Sequence, residues 1–455
     1  MIVMKFGGSS VANSERIRHV AGIIQNFSDR KPVVVLSAMG DTTDDLLDAA
    51  DAALSGKVTI DAIEKLHKDT SAALGIPVDG IEKLLGELRT LLTGVSMLRE
   101  LSPRSKDYLV SFGERLSVRI MAAYLSSQGT PAVFYDAWDI GFFSDSNYTN
   151  AELLPDVQEN IRASLGPYAE GRAGASTAIP VVTGFIAKDK NGFITTLGRG
   201  GSDLTATVIG SALMAEEVQT WKDVNGILTA DPRIVKTAQT VPVATYDEVA
   251  ELAYFGSQVL HPRSMQPCIQ TGTPVRVKNS YNIDAPGSII VTESETELPP
   301  VRSITTKKNV TLIDIVSTRM LGQYGFLAKV FDIFAAHNIS VDVVATSEVS
   351  VSLTVDSKKA DFSALTKDLG KYASIEIKKH KAIVTVICDV SRSSSILAVT
   401  FEALAREKIN IQMISQGASK VNISLICESN EAERVVRLLH DCYFGADGKT
   451  PCSFS

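Results

Sequence analysis

The sequence predicts an α/β protein: a layered sheet domain followed by two ferredoxin-like βαββαβ units. Three observations carry that reading. Short apolar, β-branched runs at 33–36, 132–135, 179–183, 217–221 and 273–278 alternate with helical patterns through the first part of the chain. A glycine-rich turn at 198–203 (GRGGSD) joins an apolar hairpin pattern, 181–197, to a helical one, 204–213. Beyond residue 305 the chain repeats itself: 310–316 (VTLIDIV) answers 384–390 (VTVICDV), Phe331 answers Phe401, Ile339 answers Ile409, and 349–353 (VSVSL) answers 421–425 (VNISL). The copies lie about 70 residues apart, and each reads strand, helix, strand, strand, helix.

Taken in order, residues 2–10 (IVMKFGGSS) form an apolar strand running into a small-residue turn. The helix Ser14–Asn26 follows, with Asn13 or Ser14 as its cap. Lys5 then lies at the carboxyl end of a strand, where open α/β sheets bind ligands and where an ammonium can span two phosphoryl groups. Taken singly, it is equally a solvated lysine on an edge strand. After the buried run 33–36 comes SAMGDTT, 37–43, either a source of small hydroxyls at a strand end or a turn with a helix cap. The stretch 44–101 carries helical periodicity and good helix formers, a helical insertion in the layered domain.

Farther along, 109–114 (LVSFGE) sets Glu114 behind a glycine near a helix start, where a carboxylate can hold a substrate amine or simply face solvent. The turn at 198–203 exposes unpaired amides at a helix N-terminus, the place where phosphate oxygens find donors and the positive end of a dipole. Arg199 beside it can fork onto a carboxylate. The run 221–233 (WKDVNGILTADPR) follows a strand and could receive a nucleotide. Paired prolines, Pro299 and Pro300, among three glutamates mark a linker. The domain reading is therefore 1–295 for the sheet domain, 296–305 for the linker, and 306–380 and 381–455 for the two repeats, sequential or intertwined.

Composition bounds the function. The chain has 455 residues, 45% hydrophobic and 21% charged, an ordinary globular make-up. A formal net charge of −7 leaves no general basic field, which argues against nucleic acid and membrane surfaces as partners. Five cysteines show no C-x-x-C spacing and six histidines no H-E-x-x-H pattern, so buried free thiols and no structural metal are expected. No apolar run approaches a membrane span and a strand opens the chain, so the expected location is cytoplasmic. A P-loop is excluded: the nearest imitation, Gly448-Lys449-Thr450, would put the motif's first glycine at Tyr443.

Taken together and in order, 5–10, 37–43, 112–114, 198–203, 223–233 and 255–262 (FGSQVLHP) resemble aspartokinases of the amino acid kinase fold, and the resemblance covers nearly the whole chain. Residues 320–322, 325–328, 340–342, 346–348 and 414–419 resemble that family's tandem ACT domains. The likeness is to the monofunctional, lysine-inhibited type of plants and some bacteria. It implies ATP-dependent phosphorylation of the β-carboxylate of L-aspartate, the entry step to lysine, threonine and methionine, with Mg²⁺ carried in by ATP. Lys5 and Asp203 would be catalytic. Thr43, Glu114, Phe185, Arg199 and Ser202 would hold aspartate. Gly7, Gly8, Ser9, Gly200 and Gly201 would cradle phosphates, with Lys222, Asp223, Leu228, Arg233 and Gln258 bordering the nucleotide. Gln258 stands where many bacterial members have Lys, and Leu228 where an aromatic is common. Lysine would bind between ACT domains of two chains near Met320, Gly325, Phe326, Leu327, Asp342, Thr346, Ser347 and Glu348, with S-adenosylmethionine as a second effector and a homodimer as the assembly. The alternative is an amino-acid-sensing ACT protein whose kinase domain is inactive.

Overall fold

The computed structural model describes residues 1–256, 260–294, 297–317, 324–356, 362–417 and 419–445. They fall into two compact units: residues 1–227, 242–246 and 259–294 in the first, and 228–241, 247–258 and 295–455 in the second.

The first unit begins with β1 (Ile2–Phe6), every residue of which is buried. Helix α1 (Ser14–Asn26) starts where Asn13 accepts a hydrogen bond from the Arg16 amide, a side-chain cap of the expected kind. Strand β2 (Val33–Leu36) leads into a helical block of α2 (Thr42–Leu54), α3 (Asp61–Leu74) and α4 (Asp79–Leu98), then the long α5 (Pro103–Ser127). Next come β3 (Ala132–Tyr135), β4 (Phe143–Ser144), α6 (Val157–Glu170), β5 (Ile179–Thr183), β6 (Ile186–Asp189) and β7 (Ile194–Thr196). Helix α7 (Gly201–Ala212), β8 (Glu217–Lys222), β9 (Val243–Thr245), α9 (Pro262–Thr271), β10 (Val275–Asn279) and β11 (Ser288–Val291) follow, while α8 (Tyr246–Tyr254), between β9 and α9 in the chain, belongs to the second unit from Asp247 onward.

Eight of these strands make one sheet, ordered β3-β5-β2-β1-β8-β10-β11-β9, parallel except where β10 meets β11. Its central strands read as unbroken apolar runs because helices cover both faces. The winding runs outward from β1 through β2 to β5 and β3, then returns to β8 on the other side of β1. The reversal at β1 and β8 opens a crevice at the strands' carboxyl ends. Phe6 and Trp221, from the two strands flanking that reversal, stack at 5.8 Å beneath it.

The second unit carries a six-stranded antiparallel sheet whose two longest strands are shared between the sequence repeats. Strand β12 (Val301–Val316) begins inside the stretch read as a linker, where Val301, Ser303, Ile304 and Thr305 are all buried. Its first half, 301–308, pairs with 382–388 of β15 (Ser374–Cys388). Its second half pairs with β14 (Ser350–Asp356) and with 374–378. The crossing from one repeat to the other falls at two residues with left-handed backbones, Asn309 (φ 59°) and His380 (φ 59°), beside a register shift. Helix α10 (Phe326–Ala336), β13 (Val341–Thr346) and α11 (Phe362–Leu369) complete the first repeat; α12 (Ser393–Arg406), β16 (Met413–Gln416), β17 (Asn422–Glu428) and α13 (Ala432–Phe444) belong to the second. The strand that closes the second repeat's sheet is thus supplied from before the first repeat. Strand order is β13-β14-β12-β15-β17-β16.

Candidate active site

The carboxyl ends of β1, β2, β5 and β7 and the start of α7 surround a cavity of about 570 Å³. Lys5 stands in β1 between Val35 and Thr220 of the neighbouring strands. Its Nζ lies 2.8 Å from Asp203 on the first turn of α7, and both side chains are buried. Burial alone would raise the Asp203 carboxyl, but the charges of Lys5 and Lys222 outweigh it and hold the group below its usual range. Lys222, at the end of β8, is pulled down by burial and by the like charge of Lys5, with Asp203 and Asp223 opposing.

Glycines set the close approaches. A Cβ on Gly8 would sit 2.8 Å from the Ala38 carbonyl oxygen and 2.9 Å from that of Gly40, so the turn after β1 packs backbone to backbone against the turn after β2. The bond from the Gly40 amide to the Gly8 carbonyl, 3.0 Å, seals this contact. Gly200 caps α7 with φ 76°, a conformation that L side chains resist, and the Gly201 amide donates back to the Gly198 carbonyl at 3.0 Å, which sets the start of the helix at the cavity wall. Phe185 is held at φ 69° with its amide donating to Thr205 Oγ1 at 3.1 Å, a strained backbone on the cavity wall.

Glu114 comes from α5, where Gly113 lets the helix press against Ala38. One carboxyl oxygen accepts from the Ala38 amide at 3.2 Å, and the other has no partner among the described residues. Desolvation pushes this carboxyl up to about 8. Arg199, exposed at the rim, makes no ion pair among the described residues and lines the same cavity.

Of the residues singled out from sequence, the fold brings Lys5, Gly8, Thr43, Glu114, Phe185, Arg199, Gly200, Gly201, Ser202 and Asp203 to this one cavity. Gly7 abuts the Lys5 ammonium from outside the lining, and Ser9 is exposed. Lys222 joins electrostatically. Leu228 and Arg233 belong to the second unit, where the Arg233 guanidinium folds back on Asp231. Gln258 and Met320 lie outside the described residues. The sequence reading missed Lys106, Asp107, Thr149 and Thr196, which also line the cavity. They carry no motif; α5 packed against β7 brings Lys106 and Asp107 to Thr196, and the Thr149 amide bonds to Asp107 from a separate loop. His261, which caps α9 and abuts Gly200, was read only as part of a motif.

In the second unit Gly325 (φ 84°) caps α10, and Phe326 and Leu327 open that helix. Asp342 and Thr346 lie on β13, with Ser347 and Glu348 exposed just after it. The Asp342 carboxylate is already engaged: Lys307 Nζ lies 2.7 Å from one oxygen and the Tyr254 hydroxyl donates to the other at 2.7 Å.

The model of the amino acid kinase family matches residues 1–279, and that of the ACT domain matches 313–364 and 385–443. Aspartokinase 2, chloroplastic, of Arabidopsis thaliana is 49% identical over 98% of this chain and 84% of its own length. The chain belongs to the aspartokinase family. Lysine-sensitive aspartokinase 3 of Escherichia coli is 34% identical across 98% of this chain and 99% of its own. Among solved aspartokinases, E. coli aspartokinase III in complex with lysine and aspartate superposes with a TM-score of 0.78 at 32% identity, covering 98% of this chain and 99% of that one. The Clostridium acetobutylicum enzyme gives a TM-score of 0.85 at 29% identity, over 97% of this chain and 100% of the other. As an aspartokinase, the chain is an enzyme of the kinase class built from a kinase domain and ACT repeats.

Proposed function

We propose that this aspartokinase transfers the γ-phosphoryl group of ATP to the β-carboxylate of L-aspartate, releasing ADP and 4-phospho-L-aspartate, and that lysine inhibits it through the ACT repeats. The observation that carries the reading is the buried Lys5–Asp203 pair, 2.8 Å apart, in a cavity that also holds Glu114 and Arg199. Phosphoryl transfer asks for in-line positioning and charge neutralisation rather than covalent chemistry. Lys5 neutralises charge on the transferring group, and Asp203 keeps that ammonium aimed into the cavity. Gly200 and Gly201 at the start of α7, with the tight turn at Gly7, Gly8 and Ser9, cradle phosphates, while Lys222 and Asp223 border the nucleotide. Arg199 forks onto the substrate α-carboxylate, Glu114 takes its ammonium, and Thr43, Phe185 and Ser202 close around the carbon chain.

Mg²⁺ fits this donor set. Among the described residues no three acidic, His or Cys side chains gather as a cage, and Mg²⁺ bound mainly by phosphates and water needs only one protein carboxylate nearby, which Asp203 can offer. When bound it neutralises phosphate charge.

Support for substrate and effector comes from the relatives. The E. coli aspartokinase III structures are described as complexes with lysine and aspartate and with aspartate and ADP. The reading extends to the entry step of lysine, threonine and methionine synthesis, to S-adenosylmethionine as a second effector, and to a homodimer formed through the ACT repeats. For the dimer, the half-exposed Leu327 and Phe331, one turn apart on α10, offer an apolar face. Its location is read as cytoplasmic; no helix among the described residues is long and apolar enough to cross a membrane, and the plant relatives are named chloroplastic.

Aspartate and ATP with hydroxylamine should yield aspartyl hydroxamate. Lys5→Ala should lower kcat by about 10²–10³-fold, the usual loss for one electrostatic donor. Absence of hydroxamate from the intact chain would favour the sensor alternative instead.

A further inference from the structure

Asp107 opens the first turns of α5, two turns ahead of Glu114 and on the same face, and it is 1% exposed. Both of its oxygens are committed. One accepts from the Thr149 amide at 2.8 Å and from the Thr196 amide at 2.9 Å; the other accepts from the Thr196 hydroxyl at 2.9 Å. These two partners are special. Thr149 holds φ at 72°, a left-handed backbone that a β-branched residue adopts only under constraint. Thr196 ends β7, three residues ahead of Arg199, and its carbonyl accepts from the Ala151 amide at 2.8 Å, closing a ring between the two segments.

The glycine-rich turn is seated directly on this ring. A Cβ at Gly198 would fall 2.5 Å from Asn150 Oδ1, so the turn lies flush against the loop that Asp107 anchors. Arg263 braces the other side, donating to Asn150 Oδ1 at 2.8 Å and to the Ala151 carbonyl at 3.2 Å. The Gly200 end of the turn has a further tether of its own, the Leu204 amide donating to the Gly200 carbonyl at 2.9 Å where α7 starts, while the Gly201 amide donates back to the Gly198 carbonyl at 3.0 Å. Asp107 therefore acts on the Arg199 end of the turn more than on its phosphate end.

From this geometry we infer that Asp107 is a positioning residue for the amino-acid substrate: its carboxylate clamps Thr149 and Thr196 so that Arg199 meets the carboxylate of the bound diacid in register with Glu114. The inference rests on the aspartate-kinase reading above, and activity of the unaltered enzyme decides that reading first. With an active enzyme in hand, Asp107→Ala should raise KM for aspartate at least about tenfold, the cost of a small misplacement of a binding group, while KM for ATP stays within about twofold. Asp107→Asn should recover most of the loss, because its amide oxygen can still accept both backbone N–H groups and its NH₂ can donate to the Thr196 hydroxyl. Adding Thr149→Gly to Asp107→Ala should also lower KM for aspartate again, since glycine holds a positive φ without an anchor. Should the alanine variant fail to fold, the Asp107→Asn/Thr196→Val pair, which removes the charge and the hydroxyl contact at nearly constant volume, must show the same split between the two KM values. An equal rise in both KM values, a fall in kcat with KM for aspartate unchanged, or an asparagine variant as damaged as the alanine one would overturn the inference.

Discussion

The buried Glu114 carboxyl ties the stability of the chain to pH and, in the proposed reading, to substrate binding as well. With its carboxyl pushed up to about 8 by desolvation, it is protonated in the folded, ligand-free site through most of the neutral range. Its folded value lies above the unfolded one near 4.5, so the contribution to stability is fully present below that pH and is lost as pH rises toward 8. Glu114→Gln, which has no proton to lose, should flatten this slope and melt higher than the parent at pH 9, as read by thermal unfolding from pH 5 to 9. The same variant should bind aspartate much more weakly, because only the ionised carboxylate can pair with an ammonium. In the parent, KM for aspartate should fall as pH climbs from 6.5 to 8.5. A pH-independent KM in the parent would separate Glu114 from substrate binding. Such a site trades stability for affinity, and the residue type and its neighbouring glycine were visible in the sequence. The depth of burial that gives the carboxyl its pH range was not, because it depends on Ala38 meeting Gly113 across 75 positions of chain.

At the level of elements, the helical block between β2 and β3 was legible from periodicity alone, and its core explains why. Ile63, Leu74, Leu84, Leu85, Leu88 and Leu92 recur at helical spacing and are all buried. Less legible was His67, fully buried on α3, whose Nδ1 lies 2.7 Å from the Ile63 carbonyl oxygen while Nε2 has no partner among the described residues. Burial depresses it to about 4 from an ordinary value of 6.5. A histidine lowered in this way supports the fold above pH 6.5, and the support is withdrawn as pH falls through 4. Over that window the block should lose on the order of 3 kcal/mol, one pKa unit being worth about 1.4 kcal/mol. His67→Leu should remove the acid-sensitive part of the unfolding curve between pH 6.5 and 4; an unchanged curve would place the acid sensitivity elsewhere. The linker reading failed at Val301 for a reason of the same kind. Two prolines and a run of glutamates do signal a break, but the chain from Val301 is a buried strand, and Val301 itself pairs with Cys388, more than 80 residues later.

For the molecule as a whole, the proposed lysine site includes an acidic residue that the fold has already neutralised. Asp342 is paired with Lys307 and Tyr254, so a cationic effector drawn to it must displace the chain's own ammonium. Lys307→Met should therefore shift lysine inhibition to concentrations about three- to tenfold lower, a coupling of ordinary allosteric size, when activity is titrated with lysine. An unmoved titration would mean that lysine does not reach Asp342. By itself the sequence determined the classes of element, the strand–turn–helix arrangement around Lys5 and Gly200, and the existence of two related repeats, because periodicity, caps and glycine turns are local and leave their trace in neighbouring residues. Only the tertiary structure decided that Asp107, Thr149 and Thr196 converge behind Arg199, that Lys307 answers Asp342, and that a strand from before the first repeat closes the sheet of the second. Those pairings join residues far apart in the chain, and what selects them is the packing of whole sheets and helices, which no short window of sequence contains.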